Sequence, residues 1–262
     1  MAINDGLGRR RVTVVAVAVT VTLALTSGCS LHRPAADQAA PRTSTAAAAP
    51  PDAPATLPWV SAMVARNGTD ITVYSGPGDV RCKELWQPQA TITEQKDAQV
   101  IISVNARVID AVDCAVSGGA VPIVVSLPKP LGGRVLRDAA TGLTPPIYLE
   151  RDLPDLRSDK RWRPFSSHWM STDEGWHQGY NGAGGSVLLV TAQRTAGVDL
   201  PDRVGTLSIG SRHGTVTGDP RRSWTMWWEV GTVTYSLRLE PAEGGTFTLK
   251  QFKQEIASLR WS

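Results

Sequence analysis

The sequence predicts a mainly β protein closed by one C-terminal helix, with a β-sandwich-like domain over residues 58–150 and a small α+β part, antiparallel sheet plus helix, over residues 186–262. Three observations carry this: apolar residues recur with a period of two, turn-forming pairs separate the runs, and one capped amphipathic stretch ends the chain.

The alternation is plain in the first part. Ile71 and Val73 flank Thr72, Ala90 and Ile92 alternate with Thr91 and Thr93, and Val100, Ile102 and Val104 alternate with Ile101 and Ser103. Val121, Ile123, Val125 and Leu127 keep the same step, which puts their side chains on one face of an extended chain. Asn67 with Gly68, Gly76 to Gly78, Lys96 with Asp97, Ser117 to Gly119, and Gly132 with Gly133 punctuate these runs as turns. Asn67, Gly68 and Thr69 also spell a glycosylation sequon, read here as a turn. Short strands at such spacing suggest two packed sheets.

Residues 151–185 change character, mixing charge, Gly, Trp and Pro with no clean period, and read as an aromatic connector laid over the surface. Strands resume at Val187 to Val190 and at Leu207 to Ile209. A hairpin follows, with Trp224, Met226 and Trp228 on one strand, Val233, Tyr235, Leu237 and Leu239 on the other, and Gly231 in the turn. Thr248 and Gln251 form a capping box, Phe247 and Phe252 take the staple positions, and Leu249, Phe252, Ile256 and Leu259 make one stripe, which predicts a helix over Leu249 to Leu259 lying across the hairpin.

The N-terminus speaks to address. Arg9 to Arg11 precede fourteen residues, Val12 to Leu25, that are all Val, Ala, Leu or Thr. A bilayer core takes about 20 apolar residues of helix, so the run is short for a span and fits an export signal. Leu25, Thr26, Ser27, Gly28 and Cys29 then resemble the lipobox of bacterial lipoproteins, in which the Cys thiol is diacylated and becomes the new N-terminus. The resemblance implies a signal peptide over residues 1–28 and lipidation at Cys29, the acyl chains each adding ~0.8 kcal/mol per buried methylene. Thr26 departs from the usual aliphatic, which leaves a cleaved, secreted form as the alternative. Residues 29–57, Ala, Pro and Thr for the most part, read as a disordered tether.

Beyond residue 28 the chain keeps 24 basic and 23 acidic residues, so it lacks the surplus of positive charge that nucleic acid demands. With Cys29 committed to lipid, Cys82 and Cys114 form an even pair that reads as a disulfide stapling the sandwich in an oxidising compartment, two separate buried thiols being the alternative.

The segment from Trp228 through Tyr235 and Leu237 to Ile256, Ala257, Ser258 and Leu259 resembles the C-terminal ββα modules of envelope lipoproteins and anti-sigma-associated proteins. Val121 to Asp138, with Pro130, Leu131, Gly132 and Arg134, is similar to a segment of uncharacterised lipoproteins of high-GC Gram-positive bacteria. These are core and turn residues, so the resemblance speaks to fold and transfers no catalytic group.

Chemistry is sparse. His168 and His177 flank Asp173 and Glu174, but the spacing matches no metal motif and Gly175 interrupts a helix, so no metal and no cofactor are expected. No G-x-S-x-G elbow or phosphate loop occurs, and Ser167 beside His168 is adjacency in sequence only. Trp162, Trp169 and Trp176 recur every seventh residue, with Tyr180 close behind, and are the candidate ligand-binding residues. Packing of the connector onto the β core competes with that reading. The expectation is a lipid-anchored, non-enzymatic binding module on the outer face of the cell membrane, its partner a cell-wall glycan, a peptide, a lipid or another envelope protein. The alternative is a hydrolase of envelope material.

Overall fold

The structure, a computed structural model, describes residues 54–77, 82–114, 120–165, 169–171, 175–196, 198 and 200–261, with only the backbone of 169–171. The export signal, Cys29, most of the tether, the 117–119 turn, Ser167, His168, Asp173 and Glu174 lie outside the described residues.

In chain order the first strands are β1 (Ala55–Leu57), β2 (Trp59–Val64), β3 (Asp70–Ser75), β4 (Lys83–Gln95), β5 (Gln99–Asp110), β6 (Val121–Ser126), β7 (Val135–Asp138) and β8 (Ile147–Leu149). There follow β9 (Arg163–Pro164), β10 (Trp169–Ser171), β11 (Gly175–Asn181), β12 (Val187–Arg194), β13 (Arg203–Ile209), β14 (Arg212–Asp219), β15 (Ser223–Val230), β16 (Val233–Glu240) and α1 (Leu249–Ser258). The protein is thus mostly β with one C-terminal helix.

Three sheets form. In the first, β5 pairs β4 along one side and takes β1 and β7 end to end along the other. The second has the order β6-β3-β2-β8, and β8 runs parallel to β2. The third runs β10-β11-β12-β16-β15-β14-β13, with β9 beside β11. All its pairs are antiparallel, and the order departs from that of the chain where β9 pairs β11 and where β12 is followed by β13 at the far edge.

Alternation distributes the second sheet between two cores. Ile71, Val73, Ile123 and Val125 join Val100, Ile102 and Val104 of the first sheet, while Tyr74 and Tyr148 join the core of the third. A bulge at Val60 keeps Trp59 in phase: Trp59 pairs with Ser75 and Ser61 with Tyr74, so Trp59 falls in the same core as Ala62 and Val64.

The helix and its hairpin form as the local pattern dictates. Thr248 Oγ1 accepts from the Gln251 backbone N–H, and the Gln251 side chain accepts from the Thr248 N–H, closing the capping box. Phe252 and Ile256 are fully buried, and the Phe252 ring lies 6.4 Å from that of Trp224 on the hairpin. The hairpin turns at Gly231, whose φ of 60° suits the first position of a two-residue loop. Trp227, on the opposite face from Trp224 and Trp228, is half-buried and donates its indole N–H to Thr217 Oγ1.

Three expectations are corrected. The tether ends before residue 57, because Ala55–Leu57 find a free edge of β5 and pair with it. Residues 175–181 belong to no connector: they are β11, held between β12 and the short strands β9 and β10. The Cys82–Cys114 disulfide forms, but Cys82 immediately precedes β4 and Cys114 follows β5, so it ties the open end of one ribbon instead of stapling two sheets.

Candidate functional site

A cleft of about 480 Å³ opens between the second and third sheets. This lies within the ~300–1,000 Å³ of small-molecule sites. One wall is built by β3 and β6, whose alternation sends Ile71, Val73, Ile123 and Val125 into the core and turns Thr72, Tyr74, Pro122 and Val124 toward the cleft. Val124 is 64% exposed as a result, a large apolar side chain left mostly uncovered by the described residues.

The facing wall is β11, whose i, i+2, i+4 positions Trp176, Gln178 and Tyr180 point inward, with Val190 of β12 beside them. On the other side of β11 sits Gly179, and a Cβ there would run into the Phe165 ring, so Gly lets Phe165, which also borders the cleft, pack against this strand. The Phe165 backbone N–H, 2.9 Å from the Gly179 carbonyl oxygen, fixes it in place. Leu153, Pro154 and Leu156 add to the apolar lining, and four charged side chains, Arg66, Glu150, Asp155 and Arg157, also border the cleft.

The walls are tied by one buried hydrogen bond, in which Trp176 Nε1 donates to Tyr74 Oη at 2.7 Å. Among the described residues the Tyr180 hydroxyl and Gln178 Oε1 have no hydrogen-bond partner, while Gln178 Nε2 donates to the Gly179 carbonyl. Burial pushes the phenols of Tyr74 and Tyr180 up to about 12, so both remain O–H donors at neutral pH.

The charged groups are unequally engaged. Glu150 accepts from the Arg66 backbone N–H through Oε2 and holds Arg157 Nε 3.1 Å from Oε1. Arg66 Nη2 donates to the Leu153 carbonyl. Asp155 accepts from the Ser158 hydroxyl, which holds its carboxyl below the usual range. Arg157 keeps both Nη groups without a protein partner among the described residues, its side chain 76% exposed while Glu150 is 19% exposed.

The four predicted aromatic residues separate. Trp176 and Tyr180 line the cleft, though each is only 7% exposed. Trp162 is buried in the core of the third sheet against Gly182, and its indole N–H has no acceptor among the described residues. Trp169 lies in β10 with its backbone paired to His177, and its side chain is outside the described residues. The seven-residue spacing therefore places no continuous aromatic ledge on the surface. Tyr74, Val124, Phe165 and Arg157 were not singled out from sequence. Tyr74 and Val124 sat at the off-phase positions of two strands, and that was the available signal.

Among the described residues no group of three or more His, Cys, Asp or Glu could hold a metal ion, and no helix is long and apolar enough to cross a membrane. Ser208 Oγ lies 2.9 Å from His213 Nδ1, a pair invisible in sequence, since it forms by cross-strand pairing of β13 and β14. Both residues are exposed, and no hydrogen bond or ion pair joins His213 to a carboxylate among the described residues, so the orienting third group of a hydrolytic triad is not in place. No family model, curated protein or solved structure matches the chain.

Proposed function

We propose that this chain is an exported lipoprotein, anchored through Cys29 to the outer face of the cell membrane, and that its globular part is a non-enzymatic binding module. Its first two sheets act as a β-sandwich-like support, and the cleft between the second and third sheets receives a small amphipathic ligand. The observation that carries this reading is the cleft itself: aromatic and aliphatic walls, an exposed Val124, and a Tyr180 hydroxyl and Gln178 Oε1 that have no hydrogen-bond partner among the described residues and border the same space. Mostly apolar pockets with a few convergent polar groups are the usual form of small-molecule sites. The amphipathic ligand fits an address beside a bilayer, where such molecules partition.

The test uses the full chain carrying Cys29→Ser, which removes the proposed acyl anchor, and the neutral polarity-sensitive dye Nile red. Saturable binding with a blue shift is expected, and Val124→Asp should abolish it without disturbing the fold, because Val124 is exposed. Absence of saturable binding, or equal binding by the Val124→Asp variant, rejects the cleft as the site.

A further inference from the structure

We propose that the cleft is specific for a single-chain amphiphile with an anionic end group, a carboxylate or phosphate, held by the Arg157 guanidinium while the chain lies along Val124, Phe165 and Tyr180. This deepens the reading of the cleft as a binding site and rests on it. Three observations support it.

First, the charges lining the cleft are spent asymmetrically. Both carboxylates are already engaged, Glu150 by the Arg66 N–H and by its ion pair with Arg157, and Asp155 by the Ser158 hydroxyl. Arg66 is turned to the Leu153 carbonyl. Arg157 alone of these four offers unused hydrogen-bonding groups toward the cleft among the described residues, the two Nη nitrogens beyond the Nε that Glu150 holds. A guanidinium anchored through Nε presents the planar fork that matches an oxyanion with two parallel hydrogen bonds.

Second, the remaining polar atoms suit an anion. Tyr180 and Tyr74 stay protonated at neutral pH and can donate, and the charge of Arg157 reaches both hydroxyls. A cationic end group would find only carboxylates already paired. Third, the volume beyond the polar groups is bounded by apolar side chains, which repay transfer of a hydrocarbon chain by about 25 cal/mol per Å² buried.

The test titrates the full chain carrying Cys29→Ser with dodecanoate, dodecyl phosphate, dodecanol, dodecyltrimethylammonium and inorganic phosphate, below their micellar concentrations, by calorimetry. The two anionic amphiphiles should bind about tenfold or more tightly than dodecanol, and inorganic phosphate alone should bind far more weakly than dodecyl phosphate. Arg157→Gln should remove that preference, bringing the two anionic amphiphiles down to the affinity of dodecanol measured on the same variant. Equal affinity for dodecanol and dodecanoate, tighter binding of the ammonium compound, or an Arg157→Gln variant with the preference intact each overturns the end-group assignment while the cleft reading stands. Inorganic phosphate binding as tightly as dodecyl phosphate would assign an anion site with no chain. Loss of all binding, Nile red included, overturns both.

Discussion

Trp176 donates its indole N–H to the Tyr74 hydroxyl at 2.7 Å, two residues 102 positions apart in the chain. The bond joins β11 of the third sheet to β3 of the second and forms the floor where the two cleft walls meet. Tyr74→Phe leaves the Trp176 N–H buried without an acceptor, and the expected loss is about 1–3 kcal/mol in urea unfolding. In a double-mutant cycle with Trp176→Phe the two losses should be less than additive, since both remove one interaction.

Alkaline pH weakens the same region. Tyr74 and Tyr180 have phenols raised from 10 to about 12 because burial disfavours the phenolate. Between those values the unfolded chain has released protons that the folded chain retains, so the unfolded state binds fewer and stability falls as pH rises. Stability should hold below pH 10 and decline by roughly 2–3 kcal/mol per tyrosine toward pH 12. Tyr74→Phe should flatten part of the decline, and ultraviolet titration at the phenolate band reports it directly.

The Cys82–Cys114 bridge closes the open end of the β4–β5 ribbon. Chain-entropy arguments assign such a loop about 3–4 kcal/mol. With Cys82→Ser and Cys114→Ser, hydrogen exchange should accelerate first at residues 83–86 and 107–110. Val100, Ile102 and Val104, fully buried between the sheets, should keep their protection. Uniform acceleration through β5 would show that the bridge supports the whole sheet.

Gly179→Ala drives a methyl into the Phe165 ring. The expected cost is about 1–3 kcal/mol, the range of overpacking, together with weaker Nile red binding as Phe165 is displaced from the cleft. Phe165→Leu in the same background should restore stability, and failure to do so places the strain elsewhere.

At Cys29, lipidation is checked by metabolic labelling with palmitate. Incorporation that is lost in Cys29→Ser is the expected outcome, and an unlabelled chain with residues 1–28 retained removes the membrane address from the proposal.

Legibility from sequence followed the range of the forces involved. The β15–β16 hairpin and the α1 capping box were readable because their partners lie within a few residues, Val230 opposite Val233 and Thr248 beside Gln251. β11 was not, because Trp176, Gln178 and Tyr180 alternate with Gly and His, and charged and Gly-rich neighbours mask the period. The disulfide partners were legible by counting, but their placement at one ribbon's end depended on how far β4 and β5 extend, and hydrophobic alternation fades before those ends.

By itself the sequence determined which residues share a face: Ile71 with Val73, Trp224 with Met226, Phe252 with Ile256. It also determined the mainly β class and the terminal helix, because local backbone preference and side-chain period set these within a few residues. Only the tertiary structure decided which face meets which. The second sheet turns one side to a core and the other to Trp176 and Tyr180, and the incomplete closure of that second contact leaves the cleft. A period of two specifies a side of a strand and carries no information about what lies opposite it, so Tyr74, Val124 and Arg157 acquire their roles from chain segments that only folding brings near.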